Sequence, residues 1–189
     1  MKKRTLAIAL AITVLILSAV GGTLAWLTAV TAPVENVFTF GDVEITLNDN
    51  YTKPQYIVPG DEVNKEVSVT NDGTVSAWVF VKVVIPDEFK IEDSDGKELV
   101  TLDYNDTDWE LVNSADNVWG YKSELATSSF TNNLFTKLTF DGNITSDQIS
   151  AMQDAVITVQ AAAIQFENVS GTVNDAWAKL GSFPEYIEP

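Results

Sequence analysis

Apolar and polar residues alternate strictly in two stretches of the chain, and few folds accommodate that pattern. Val63, Val67 and Val69 alternate with acidic or hydroxyl residues, and the earlier stretch 42–47 reads Asp-Val-Glu-Ile-Thr-Leu. A period of two places the apolar side chains on one face of a half-buried strand and the polar ones on the other. The sequence therefore predicts strands over 43–47 and 63–70.

A third stretch, 75–85, is apolar on both faces. One face would carry Ala77, Val79, Val81, Val83 and Ile85, and the other Trp78, Phe80 and Val84. Such a strand lies centrally in a sheet that is covered on both sides. Asn71-Asp72-Gly73 before it is a turn signal. We therefore expect 63–70 and 75–85 to pair as an antiparallel hairpin.

The rest of the chain continues in short strands separated by turn residues. Further strands are predicted over 109–112, 118–121 and 134–140, and a buried strand over 155–166. Short helices are expected over 145–154 and 176–180, the second capped by Thr172 and Asp175 and ended by Gly181. The predicted fold is all-β, a β-sandwich of jelly-roll or immunoglobulin-like type with short helical insertions.

The N-terminus has the pattern of an export signal. Lys2, Lys3 and Arg4 precede the apolar run 6–20, and small residues follow it. We predict a signal peptide over 1–25 that is cleaved between Ala25 and Trp26, with Ala32 marking a second possible cut. An uncleaved membrane anchor over 6–27 is the alternative. Cleavage makes the protein secreted, to the extracellular matrix or cell surface.

Composition excludes several chemistries. The 189 residues contain no Cys and no His, so the ligands of catalytic zinc and the common nucleophile relays are missing. Removing residues 1–25 leaves eight lysines and all 27 acidic residues, a formal net charge of −19. This charge argues against nucleic acid as a partner, because phosphate binding relies on clustered Lys and Arg. No cofactor is predicted.

Two surface sites come into question. Carboxylates near Gly96 could hold Ca²⁺, although the spacing is not that of an EF-hand and solvated loops are the favoured explanation. They are Glu92, Asp93, Asp95, Asp103, Asp106 and Asp108. Five tryptophans could form a sugar-stacking platform. We expect Trp78 and Trp177 in the core, which leaves Trp109 and Trp119 as candidates for binding polysaccharide.

Three stretches together resemble the TasA/camelysin (CalY) family of exported Gram-positive proteins. The first runs from Gly21-Gly22-Thr23-Leu24-Ala25-Trp26 into Asn36-Val37-Phe38-Thr39-Phe40-Gly41 and the strand after it. The second is 58–82, and the third is 159–168 followed by Ala176-Trp177. The middle of the chain matches only as a generic sandwich.

The resemblance implies a subunit of biofilm-matrix fibres, exported through a SipW-type signal peptidase. In that family the segment after the cleavage site acts as a donor strand, so residues 26–36 would be a donor arm for a like subunit or a minor anchoring protein, and 37–189 the sandwich. The apolar residues of this interface would be Trp26, Leu27, Ala29, Val30, Val34, Val37 and Phe38. Pairing of 26–40 within its own sandwich is the simpler alternative.

Two other functions remain open. One is a carbohydrate-binding or adhesion module. The other is a metallopeptidase, an activity attributed to camelysin, which the absence of His disfavours.

Overall fold

The structure, a computed structural model, describes residues 41–184 as a sandwich of two four-stranded antiparallel sheets. Sheet A has the strand order β1-β2-β7-β4, and sheet B has the order β5-β6-β3-β8. The strands are β1 Ile45–Tyr51, β2 Glu62–Asn71, β3 Ala77–Val84, β4 Val100–Leu102, β5 Trp109–Asn113, β6 Val118–Tyr121, β7 Phe135–Phe140 and β8 Thr158–Gln165. The predicted all-β sandwich is confirmed.

The predicted β2–β3 hairpin is wrong. β2 pairs with β1 and β7 in sheet A, whereas β3 pairs with β6 and β8 in sheet B. The turn after Asn71 therefore crosses from one sheet to the other. The inner faces of both strands are mostly apolar, with Lys65 and Asn71 as the polar residues on that face of β2. Facing each other across the sandwich buries both of those faces, which a flat hairpin would not do.

Asn71 stabilises this crossing from within. Its side chain is fully buried, its amide group donates to the carbonyls of Val75 (3.0 Å) and Leu125 (2.9 Å), and its Oδ1 accepts from Gly73 N–H (3.0 Å). A buried amide with every bond made is stabilising, and one that loses its partners is costly. The turn predicted from the sequence therefore exists, but it connects strands of two different sheets. We call this connection, residues 71–76, the arch.

The strand β3 is central in sheet B and covered on both sides, as predicted. Val79, Val81 and Val83 on its inner face belong to the core between the sheets. Trp78 and Phe80 on the outer face lie under the helix α2, Val173–Leu180, with the Phe80 and Trp177 rings 5.4 Å apart.

Both helices begin at capping boxes. In α1 (Ser146–Ala151) Thr145 and Gln148 exchange hydrogen bonds, and in α2 Thr172 and Asp175 do the same, as predicted. Gly181, with φ of +82°, ends α2. Gly120 lets α2 approach β6 closely, because a Cβ there would overlap Val173.

The predicted strand over 155–166 exists as β8, but the prediction that it is buried is wrong. β8 is the edge strand of sheet B, and only Ala162 on it is buried. The alanine-rich composition of β8 suggested an interior position, whereas its small side chains are half-buried at the edge of the sheet.

Replacing Asn71 by alanine should destabilise the fold by about 2–4 kcal/mol, because the buried carbonyl of Leu125 and the part-buried Val75 carbonyl and Gly73 N–H group lose their partner. Urea denaturation gives this difference. Asn113→Ala is the control, since Asn113 makes comparable bonds to Ala115 N–H and Asp116 in an exposed turn and should cost less than about 1 kcal/mol. An equal decrease in the free energy of unfolding for the two variants would contradict the role given to Asn71.

Candidate functional site

One side of the sandwich is bounded by the edges of β1 and β8, and we call this side the seam. β1 ends sheet A and β8 ends sheet B, and Cα atoms of the two strands come within 8 Å of each other. No residue within 41–184 pairs with the outer side of either strand. The seam therefore presents two unpaired strand edges next to each other.

The hydrogen-bonding pattern shows which groups of β8 face outward. Phe166 N–H donates to Ser76 C=O (2.8 Å), so these residues form a hydrogen-bonded pair. Such pairs alternate along an antiparallel ladder, and residues of the intervening pairs direct their N–H and C=O groups away from the partner strand. The free backbone groups of β8 therefore belong to Val159, Ala161 and Ala163.

The same reasoning applies to β1. Asp72 N–H donates to Glu44 C=O (2.9 Å), so the alternation directs the backbone groups of Ile45 and Leu47 outward. The residues with outward backbone groups are, on both strands, the ones whose side chains are half-buried against the central core. An added strand would gain ladder bonds and cover apolar surface at the same time.

The two edges of the seam are protected differently. On the β1 side, Lys65 is almost fully buried and its Nζ lies 2.6 Å from both carboxylate oxygens of Asp49, with the Tyr51 ring 5.4 Å away. Charged residues that point inward at an edge oppose strand addition. β8, by contrast, carries no charged residue over its eight positions. It is the more permissive edge.

Strand order indicates what belongs beside β8. The order β1-β2-β7-β4 is the A-B-E-D order of an immunoglobulin constant-type sheet, and β3 and β8 occupy the places of strands C and F. In that fold strand G pairs with the outer edge of F. Within the described residues no strand holds the position of G.

Residues 1–106 match the family described as camelysin metallo-endopeptidase. The chain belongs to the camelysin family, also called TasA or CalY. The match covers the predicted signal and arm together with β1 to β4, and it ends before β5. No curated protein matches the chain.

The site residues predicted at the N-terminus of this camelysin-family chain lie outside the described residues. They are Ala25 and Trp26 of the cleavage site and Leu27, Ala29, Val30, Val34, Val37 and Phe38 of the donor arm. Their roles stay predictions. Over 41–184 no helix has the length and apolar character needed to span a membrane.

The four tryptophans within 41–184 do not form the sugar platform that was considered. Trp109 is fully buried in the core, so it is not available to bind polysaccharide. Trp119 is half-buried and stacks on Tyr104, with ring centroids 4.5 Å apart, while its Nε1 donates to Asn117. Trp78 is buried as predicted, and Trp177 is half-buried against Phe80. The polar neighbours of Trp109 in sequence hid a residue that fills the space between the sheets.

Three of the six carboxylates considered for calcium, those of Asp93, Asp103 and Asp108, accept hydrogen bonds from the protein's own groups. Asp93 Oδ1 accepts from Asp95 N–H (2.8 Å) and Lys97 N–H (3.0 Å), and Asp108 accepts from the amides of Asn105 and Asn132. Nowhere in 41–184 do three acidic side chains come together in a way that could hold a metal ion.

Sequence reasoning missed the edge of β8. The sequence contained a signal, because the polar residues Thr158, Gln160 and Gln165 are unusual in a buried strand. None of them is charged, so none would oppose pairing with an added strand.

Asp103 supports the β4–β7 edge of sheet A. Partial burial acts to raise the pKa of this carboxyl, but hydrogen bonds from the Thr136 hydroxyl and from the N–H groups of Lys137 and Thr136 outweigh burial and hold the pKa below its ordinary value. A lowered pKa in the folded state stabilises the protein above the unfolded pKa, about 4 for aspartate, and this stabilisation is lost as the pH falls through the folded pKa.

Asp103→Asn should therefore lower the free energy of unfolding at pH 7, and the difference from the wild type should shrink below pH ~4. Denaturant titrations at pH 7, 5 and 3 measure it. Asp95→Asn is the control, because the Asp95 side chain accepts no hydrogen bond from the described residues. A difference for Asp103→Asn that is constant across these pH values would rule out the carboxylate as its source.

Proposed function

We propose that this camelysin-family protein is a secreted structural subunit that self-assembles into extracellular fibres. Residues 26–36 of one subunit would lie along β8 of the next, in the position that strand G takes beside strand F in the immunoglobulin fold. The observation that carries the proposal is the open, uncharged edge of β8, where outward backbone groups and half-buried apolar side chains coincide.

Chemical complementarity supports this pairing. The donor arm contains Trp26, Leu27, Ala29, Val30 and Val34 and no charged residue before Glu35. Exposed in water, such an arm would be prone to aggregation, whereas along β8 its backbone gains ladder partners and its apolar side chains cover the seam. A donor at one end and an acceptor edge elsewhere form a head-to-tail contact that does not close, and repetition of that contact produces a filament.

The proposal assigns no peptidase activity, although the family description includes one. The chain has neither His nor Cys, the usual protein ligands of catalytic zinc besides carboxylates. A purified preparation should release no peptides from casein above a mock purification, with or without added Zn²⁺. Cleavage that follows the protein through a second column and stops with chelator would overturn this assignment.

The arm is tested directly by deletion. Protein starting at Trp26 should form filaments visible by electron microscopy, and protein lacking 26–36 should stay monomeric in size-exclusion chromatography, because the donor is gone. Filaments of equal yield from the truncated protein would disprove donation. If both proteins are monomers and the truncated one unfolds more easily, the arm pairs within its own sandwich.

The acceptor edge is tested by proline. Ala161→Pro removes an outward N–H group without breaking the β3–β8 ladder, so it should reduce filament yield at least tenfold while the folded monomer persists. Leu111→Pro is the matched control, since it alters an outward position on β5, the opposite edge of sheet B, and should leave assembly intact. Circular dichroism and thermal melts verify that both variants fold.

A further inference from the structure

The outer face of sheet A contains a polar groove with a volume of about 350 Å³. Its lining consists of amide, carboxylate and hydroxyl residues and includes no large apolar side chain. These residues are Asn48, Asp49, Asn50, Glu66, Ser68 and Asn133.

Strand register places most of these groups in rows. Asn48 lies opposite Ser68, and Asn50 lies opposite Glu66, on the face of the sheet away from the core. Asn133 belongs to the segment on the other side of β2, which is held there by the bond from Leu134 N–H to Val67 C=O (2.8 Å). The groove therefore crosses three adjacent chain segments.

Several polar atoms in the groove are available to a ligand. The Asn48 amide donates to Thr70 Oγ1 (2.9 Å) and, more weakly, to Ser68 Oγ (3.4 Å), which fixes the orientation of the side chain while its Oδ1 makes no bond within the described residues. The side chains of Asn50, Glu66 and Asn133 make no hydrogen bond to any residue of 41–184. Planar amides and carboxylates of this kind pair with adjacent hydroxyl groups.

An aromatic ring lies beside the groove. Phe130 is bridged to Thr70 across the strand, and its side chain is 74% exposed. Thr70 is two residues along β2 from Ser68, a distance of about 7 Å. An exposed ring at this distance from a row of polar groups can stack on the C–H face of a sugar whose hydroxyls reach the groove.

Charge narrows the class of ligand. Glu66 contributes its carboxylate to the lining, whereas the Asp49 carboxylate is paired with the nearby cation, Lys65. The whole chain has a formal net charge of −16. An anionic polymer would be repelled from such a surface.

We propose that this groove binds a neutral polysaccharide, with Asn48, Asn50 and Asn133 bonding to its hydroxyl groups and Phe130 stacking on a ring. The site is distinct from the tryptophans considered at first and from the β8 edge, although it shares β1 with the seam. It does not rest on fibre assembly, since a monomer and a filament would bind the polymer equally.

Surface plasmon resonance with immobilised protein tests the groove, because it works for monomers and filaments alike. Galactomannan and dextran serve as neutral probes, and carboxymethyl cellulose as an anionic one. We expect at least one neutral polymer to bind, with an affinity that hardly changes between 50 and 500 mM salt. Binding of neither neutral polymer, or stronger binding of the anionic one, would overturn the proposal.

Variants locate the site. The double variant Asn50→Ala/Asn133→Ala and, separately, Phe130→Ala should each weaken neutral-polymer binding at least tenfold. Asn113→Ala, which changes an amide in the β5–β6 turn, is the control and should bind like the wild type. The isosteric Asn50→Asp should also weaken binding without altering shape, so that a folding defect is not needed to explain the loss. Unchanged binding in all the groove variants would place the polymer elsewhere.

Discussion

The buried side chain of Asn71 connects the two sheets on which the whole architecture depends. Where β2 ends, its amide group bonds to the arch at Val75 and to Leu125, and its backbone groups bond to Ser128 and Ser129. Leu125 in turn exchanges hydrogen bonds with Ala77, the first residue of β3. One polar side chain thus sets where sheet A stops and sheet B starts, in a chain that has no disulfide to do so.

The sequence predicted local structure well and pairing poorly. Strand periods, the capping box at Thr172 and Asp175, and the central position of β3 followed from neighbouring residues, because alternation and capping act over a few positions. The partner of β2 could not be read in the same way. Asn71-Asp72-Gly73 specifies a reversal of the chain, but the bond that Asn71 makes to Leu125, more than fifty residues away, has no local signal in the sequence.

The site was harder to predict than the fold for a related reason. Trp109 has polar neighbours in sequence, yet its ring packs in the core between the sheets, where its indole N–H donates to the carbonyl of Asn132. β8 has the composition of an interior strand, yet it lies at an edge because the next segment, Phe166 onward, leaves the sheet toward α2. Position within a sheet is a property of the whole topology, and a single strand's composition does not encode it.

The packing of α2 on sheet B has a consequence for the shape of any assembly. The helix covers Trp78 and Phe80, so the outer face of that sheet is not available to lie flat on another sheet, and the outer face of sheet A is polar. Amyloid needs both strand addition and lamination of dry faces. If the proposed strand addition along β8 takes place, it would proceed without lamination, so the assembly would grow in length without thickening and its flanks would stay in contact with water.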